Sequence, residues 1–387
     1  MTVLSSQAMR TSGEPRPFPV DPWLAGAWTA LLGFGLVMVY SATVAAEGQS
    51  LSSHFGYLIQ HTLHIGAGIA LAILVSLSPI HWWERASKPL LGFGLALLVM
   101  VLIPGIGIEV NGSSRWLPVG PARVQPSELV KICMVVYAAG YLTRKREELG
   151  DFTQGVLMIG LVLTMVALLL LLEPDFGSFV VITLTVVGML FLGGIRVWHF
   201  LLCLVLGGAA MVLLTIISPY RMARVTSFLH PWSDPYDSGF QLVQALIAFG
   251  RGDWHGVGLG ASIQKLYYLP HANNDFLLAV IAEELGVVGV LAVVLLFGVV
   301  VWRAFAIARR ADVLGALYAG RLAQGLGLLL VIQAMINLGV NMGVLPTKGL
   351  TLPFMSYGGS SMLSACVAMG LLLAVDRTTR RKPRPRR

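Results

Sequence analysis

Charge is what this chain has least of. Only 12% of its 387 residues are Asp, Glu, Lys or Arg, about half the roughly 25% of soluble domains and too little to clothe a water-facing surface. Cysteine is scarce too. Cys133, Cys203 and Cys366 lie far apart inside apolar runs, which excludes a CxxC metal centre and a disulfide framework. Short repeats and low-complexity stretches are missing apart from an Arg/Pro tail, too short and too charged to fold alone. These absences exclude an ordinary soluble enzyme. What is present is apolar: 56% of the residues are hydrophobic and the mean hydropathy is +0.78, the composition of a polytopic membrane protein. The net charge of +8 does not call for nucleic acid, because seven of the 27 basic residues fall within 377–387, where a basic stretch after a last span acts as an orientation signal.

A span takes about 20 apolar residues, and ten stretches qualify, near 23–45, 57–78, 88–104, 127–142, 153–172, 178–193, 197–218, 276–302, 318–342 and 357–375. The first is too long for the roughly 7–15 residues of a signal-peptide core and is read as a span. The expected fold is therefore an all-α polytopic membrane protein of ten transmembrane helices, with a large extracytoplasmic loop, 219–275, between helices seven and eight. A short tail, 1–22, precedes this membrane domain (23–376), and the basic tail 377–387 follows it. Placing both termini on one side puts eighteen basic residues there and seven opposite, with Lys131 and Arg321 in or at the ends of spans. Positive charge is retained in the cytoplasm, so both termini are expected there.

Most of the unusual chemistry falls on the opposite side. Pro126 and Ser127 are helix-start residues; behind them Glu128 and Lys131 stand three apart on one helical face, Lys131 about 4.5 Å deeper along the axis. An ammonium at that depth needs a partner, which Glu128 supplies. The 219–275 loop carries Tyr220-Arg221 and Arg224 at its start and Asp275 at its end. Taken alone, Asp275 reads as an N-cap for the following helix. Gly256-Val-Gly-Leu-Gly260 has no strand before it, so it is not read as a phosphate loop. Gln333, Asn337 and Asn341 recur every fourth residue, as do Ser356, Ser360 and Ser364, and both stripes read as glue between helices. His61 and His64 form a similar pair, without a third ligand for a metal, and read as packing residues.

The segments Asn111-Gly-Ser-Ser-Arg-Trp, Gln125-Pro-Ser-Glu-Leu-Val-Lys131, Glu173-Pro-Asp-Phe-Gly177, Pro219-Tyr-Arg-Met-Ala-Arg224, Asp275-Phe-Leu-Leu and Thr347-Lys-Gly-Leu-Thr-Leu-Pro-Phe-Met-Ser-Tyr-Gly-Gly359 together resemble the SEDS family of bacterial shape, elongation, division and sporulation proteins. The stretch around Lys348 is similar to its division branch. The resemblance covers nearly the whole chain and implies a glycosyltransferase of the bacterial inner membrane, at the division septum, that polymerises lipid II into peptidoglycan beside a class B penicillin-binding transpeptidase and other divisome membrane proteins. By position, the family's essential acid falls on Asp275, its loop arginine on Arg123 and its helix-four lysine on Lys131, with Glu128 between.

Forming a β-1,4 bond from an α-linked pyrophosphate inverts the anomeric carbon, so a base must take the acceptor proton. Asp275 is the expected base. The leaving pyrophosphate calls for cations, for which Arg123, Lys131, Arg221, Arg224 and Lys348 are candidates, or for a divalent ion, magnesium or manganese. No organic cofactor is expected. One departure matters: where the family has Pro-Glu-x-His-Thr-Asp, this chain has Pro270-His-Ala-Asn-Asn-Asp275, so no role of that Glu or His carries over. A lipid II flippase, a rod-elongation polymerase and a non-catalytic divisome scaffold are the rival readings, and Glu173 and Asp175 are the acids next in line.

Reporter fusions near Glu147 and Ala311 are expected to read cytoplasmic, and fusions near Pro118 and Ser233 external. A cytoplasmic signal at Ser233 would overturn the ten-span topology.

Overall fold

The computed structural model describes residues 20–44 and 51–381, apart from 111–112, 121, 236–238, 271 and 348. Lys348, His271 and positions 382–387 of the tail therefore lie outside the described residues. In chain order the elements are α1 (Pro22–Val44), α2 (Leu51–Leu77), α3 (Ile80–Leu102), β1 (Ile108–Val110), β2 (Ser113–Val119), β3 (Ala122–Val124), α4 (Pro126–Arg144), α5 (Met158–Leu172), α6 (Phe176–Gly193), α7 (Val197–Ile217), α8 (Pro219–Leu229), α9 (Phe240–Gly252), α10 (Leu277–Val313), α11 (Leu317–Asn341) and α12 (Gly359–Arg381).

Among the described residues nine helices are long and apolar enough to cross a bilayer. The expected fourth span, α4, is not one of them by composition, because Glu128, Lys131 and Arg144 stand on it. Its 19 residues nonetheless reach about 28 Å, close to the roughly 30 Å of a hydrocarbon core. Fifteen of them are buried, since α4 packs among α3, α6, α11 and α12. A helix enclosed by protein can carry charge that a lipid-facing one cannot. At the other extreme α7 buries no residue of its own and packs against α6 and α8 at the rim.

The loops depart from an all-helical picture. Residues 105–126 hold a three-stranded antiparallel sheet in the order β1-β2-β3, in which Ile108 faces Trp116 and Leu117 faces Val124. The 219–275 segment contains α8 and α9 rather than extended chain. Two helices also outrun their expected ends, so Arg303, Arg309 and Arg310 stand on α10, and Arg377 and Arg380 on α12. Ion pairs explain the extension. Asp21, just before α1, accepts from the backbone of Trp23 and Leu24 and pairs with Arg303 and Arg380, while Asp376 takes Arg310 at 2.9 Å and Arg380 at 2.7 Å. Burial works to raise the Asp21 carboxyl, but Arg303 and Arg380 with the Leu24 N–H prevail and hold it below its ordinary value.

The decisive irregularity is in α10. Gly286 adopts φ 66° and ψ −162° and splits it into two helices. Such a break strands the amides of Val287 and Val288 and the carbonyls of Glu283 and Glu284, each a cost of several kcal/mol in an apolar surround. The chain after α9 satisfies all four. Val287 N donates to Asp253 O (3.0 Å) and Val288 N to Trp254 O (3.3 Å), while Val257 N and Gly258 N donate to Glu283 O and Glu284 O, both at 3.0 Å. The approach leaves no room for side chains: a Cβ on Gly252 would overlap the Ala282 carbonyl, and one on Gly256 the Glu284 carbonyl. The Gly256–Gly260 run, unassigned in the sequence, is thus part of a backbone splice.

Gly250 and Gly252 give a paired test on one helix, because a Cβ at Gly250 meets nothing within 4 Å. Gly252→Ala is expected to lower thermal stability in detergent by about 1–3 kcal/mol or more. Gly250→Ala should leave it unchanged or raise it by up to about 1 kcal/mol. Equal melting temperatures for the two variants would refute the splice.

Candidate functional site

The splice determines where Asp275 stands. The short first half of α10 begins just after it, with Phe276 as the capping residue and no side-chain cap bond. Asp275 is therefore not the N-cap that its position in the sequence suggests. The cap comes from α11 instead, where Asn341 Oδ1 accepts the Ala279 N–H at 3.2 Å. Two α11 amides then hold the Asp275 main chain, Asn337 Nδ2 and Asn341 Nδ2 donating to its carbonyl at 2.9 and 3.0 Å. The carboxylate is half-buried and faces the 343–358 loop, where a Cβ on Gly349 would lie 3.1 Å from Asp275 Oδ2.

That loop gathers the rest. Arg224 on α8 donates to the Thr347 carbonyl at 2.9 Å, so Thr347 and Gly349 join Arg224 to Asp275 on either side of Lys348. Asn337 Nδ2 also holds the Leu350 carbonyl at 2.6 Å, and Gln333 Nε2 the Thr351 carbonyl at 3.1 Å. One turn deeper, Lys131 Nζ sits 2.8 Å from Glu128 and 2.7 Å from Gln333 Oε1, with 1% of the Lys131 surface exposed. The expected ion pair is present. Its neutral third member, Gln333, ties it through Thr351 to the same loop, and a void of ≈ 10 Å³ beside it has room for about one water.

The polar stripe of α11 is thus the frame of the site, and the serine stripe of α12 does the same for α4. Ser360 Oγ accepts the Gln125 N–H at 3.0 Å and donates to the Arg123 carbonyl at 3.3 Å; Ser364 donates to the Glu128 carbonyl at 2.7 Å. Arg123 itself is exposed in the middle of β3. Arg221 lies apart from these groups, donating to the Leu214 carbonyl at 3.0 Å and stacking 5.2 Å over Phe176. The Glu173–Gly177 turn is held by the first loop: Asp175 accepts from Ser127, Gln125 and Ser178, and Arg115 donates to the carbonyls of Glu173 and Pro174.

Four charged residues escaped the sequence reading as a group. Arg251 pairs with Glu283 at 2.6 Å and Lys265 with Glu284 at 2.7 Å, both carboxylates fully buried. Ser262 donates to Glu283, and Ser41 of α1 donates to both oxygens of Glu284 at 2.8 and 2.7 Å. The signal was present in two adjacent acids inside an apolar run, facing two bases counted only for topology. Their pairings span 32 and 19 residues of a folded-back segment, which no local spacing reveals. Among the described residues no three His, Cys, Asp or Glu side chains converge as ligands.

Comparison with known proteins places this architecture. A family model described as cell cycle protein, covering FtsW, RodA and SpoVE, matches residues 22–381. The chain is 54% identical over 95% of its length to the probable peptidoglycan glycosyltransferase FtsW of Nitrosococcus halophilus, covering 95% of that protein. It is 49% identical over 98% of its length to that of Thioalkalivibrio sulfidiphilus, covering 96%. Among solved structures, it superposes with a TM-score of 0.77 and 29% identity on a chain from a peptidoglycan synthase complex that coordinates polymerisation and crosslinking, covering 94% of this chain and 99% of that one. With the rod shape determining protein RodA of Thermus thermophilus the TM-score is 0.67 at 26% identity, over 95% of this chain and 100% of that one.

Glu173 offers a pH test. It is fully buried and neither carboxylate oxygen has a hydrogen-bond partner. Burial, helped by the Asp175 charge and opposed by Arg115, pushes its carboxyl up to about 8 from an ordinary 4.5. The folded state thus holds this proton more tightly than the unfolded chain, so the contribution is complete below about pH 4.5 and is lost as pH rises through about 8. Glu173→Gln, which keeps the neutral shape, is expected to melt like the native chain at acidic pH and above it by a few kcal/mol at pH ~8.5. Parallel melting curves across that range would contradict this assignment.

Proposed function

The chain belongs to the FtsW, RodA and SpoVE family of cell cycle proteins, and we propose that it polymerises lipid II into glycan strands for septal peptidoglycan, with Asp275 as the base. One observation carries the assignment of the base: the main chain of Asp275 is fixed by Asn337 and Asn341, and its helix is capped from α11. Its carboxylate stands against the Gly349 loop instead of serving the fold as a helix cap. A base must be held rigidly where the acceptor can approach it, and the two amides fix the Asp275 main chain beside the Gly349 loop.

The reaction follows from the chemistry of the two substrates. The Asp275 carboxylate takes the proton of the acceptor sugar hydroxyl as that oxygen attacks the anomeric carbon of the donor. The bond to the lipid pyrophosphate breaks on the opposite face, which inverts the configuration and gives a β-linked product. The leaving group needs its charge met rather than a proton. Arg224, anchored on the loop that adjoins Asp275, and Arg123, exposed in the first loop, are the arginines we assign to meet it, and Lys348, next to Thr347 in the chain, is a third candidate. Lys131 lies too deeply enclosed with Glu128 and Gln333 for direct contact, so its role is to hold the loop through Gln333 and Thr351. Arg221, turned toward Phe176, is assigned to the Glu173–Gly177 turn.

The site lies at the end of the bundle opposite the Asp21, Asp376, Arg303 and Arg380 cluster. With the basic end in the cytoplasm, Asp275 faces the outer surface, where a lipid-anchored sugar chain must grow. Both termini are then cytoplasmic. The solved relative from a complex joining polymerisation to crosslinking supports a class B transpeptidase as the partner. A flippase or scaffold would not need a proton acceptor at this position.

Asp275→Asn keeps the size and loses the basicity. It is expected to fold and to bind its transpeptidase as the native chain does, while polymerisation of lipid II by the purified complex falls about 10²- to 10⁴-fold. Near-native glycan synthesis by a well-folded variant would move the base elsewhere, with Asp175 and Glu173 the next acids to replace. Lys131→Met should abolish activity and also lower the melting temperature, because Glu128 is left as an unpaired buried charge.

A further inference from the structure

At the end of the bundle away from Asp275 a pocket of ≈ 440 Å³ opens between the α2–α3 turn, the end of α4, the α10–α11 turn and α12. Its volume falls in the range of about 300–1,000 Å³ that takes small molecules or headgroups, and the polymerisation chemistry does not use it. Its polar lining is His81, Glu84, Thr143, Tyr318 and Thr378. Two of these carry unmet hydrogen-bonding capacity. The Tyr318 hydroxyl is buried without a partner, on a side chain 4% exposed. The half-buried Glu84 carboxylate has no ion-pair or hydrogen-bond partner among the described residues. Asp21, Asp376 and Glu148 at this end are each taken up by an arginine or lysine, whereas Glu84 is not.

The pocket also lies at headgroup depth. It sits where α2 ends and where α3 and α11 begin, and the neighbouring Trp82 is 60% exposed, as tryptophans at a membrane interface are. Arg377, next to Thr378 in the chain, donates to the Leu77 carbonyl at 2.7 Å, which holds a guanidinium near the α2–α3 edge of the pocket.

We propose that this pocket binds the headgroup of an aminophospholipid, phosphatidylethanolamine, its ammonium on Glu84 and its phosphate on the Tyr318 hydroxyl and Arg377. The basic surface around the pocket attracts anionic lipid in general, but the wall itself presents a carboxylate. A phosphatidylglycerol headgroup would set its phosphate against Glu84 with no cation to offer, whereas phosphoethanolamine carries one group for the carboxylate and another for the phenol and guanidinium. The bound lipid would join the ends of α3, α4, α11 and α12, four helices that otherwise meet at this end around an open space.

Native mass spectrometry of the full-length protein in non-ionic detergent, given equal amounts of phosphatidylethanolamine and phosphatidylglycerol with matched acyl chains, tests this. The native chain is expected to retain the ethanolamine lipid in preference. Glu84→Gln should cut that retention about tenfold, as loss of a charge-assisted bond does, and raise phosphatidylglycerol retention by relieving the carboxylate–phosphate repulsion. Tyr318→Phe should weaken the ethanolamine lipid less, and it decides the matter if Glu84→Gln fails to fold. Equal retention of both lipids by the native chain would overturn the proposal, as would undiminished ethanolamine-lipid binding by Glu84→Gln. So would exclusion of both lipids, which would mean that another occupant, such as the basic tail, fills the pocket.

Discussion

A helix inside a membrane can stop only where other groups accept the hydrogen bonds it abandons, because no water is there to do so. The break at Gly286 meets that condition through four backbone bonds to residues 253–258, and much of the site follows from it. The break lets the first half of α10 act as a separate short helix, tied through the 252–265 segment to α9. It also draws Arg251 and Lys265 in against Glu283 and Glu284, which gives two buried carboxylates the partners they require. The charges and the broken backbone therefore stabilise one another. Neither arrangement would be tolerable alone in an apolar surround.

The second support is the row of amides on α11. Spaced four apart, Gln333, Asn337 and Asn341 project from one face and meet, in order of depth, the Lys131 ion pair, the 343–358 loop and the Asp275 carbonyl. A rigid helix thereby connects the enclosed ion pair on α4 to the base at the surface. Within that loop Phe354 adopts φ 67°, a conformation that costs a non-glycine residue about 1–3 kcal/mol. Its ring is 1% exposed and packs edge-on to Trp28 at 6.5 Å, so burial of a large aromatic surface offsets the strain. The loop that adjoins Asp275 is thus held by amides on one side and by an aromatic anchor on the other.

The two ends of the bundle are built on different terms. Around Asp275, three ion pairs (Glu128–Lys131, Glu283–Arg251 and Glu284–Lys265) stand behind the site, while neutral amides hold the Asp275 main chain and the adjoining loop. At the opposite end, arginines and aspartates close on one another across α1, α10 and α12, and Arg303 and Arg380 with the Leu24 N–H hold the Asp21 carboxyl below its ordinary value in spite of burial. A closed cluster of this kind fixes helix ends. It also explains why α10 and α12 continue past the apolar stretches that mark them in the sequence.

Much of this was legible in the sequence, and the reason is local. Span positions follow from runs of apolar residues, orientation from the placement of Lys and Arg, and the Glu128–Lys131 pair from three-residue spacing, all properties read within one or two helical turns. The resemblance carried by the Asp275 and Lys348 segments supplied the activity. Other features were decided only by the tertiary structure, because they depend on residues brought together from far apart. Asn341, 62 positions from Ala279, caps the helix that Asp275 was expected to cap. Lys265 reaches Ser41 across 224 positions, and three glycines serve a splice that no motif announces. A sequence shows which groups cannot stay unpartnered in a membrane, but only the folded chain shows which partner each one finds.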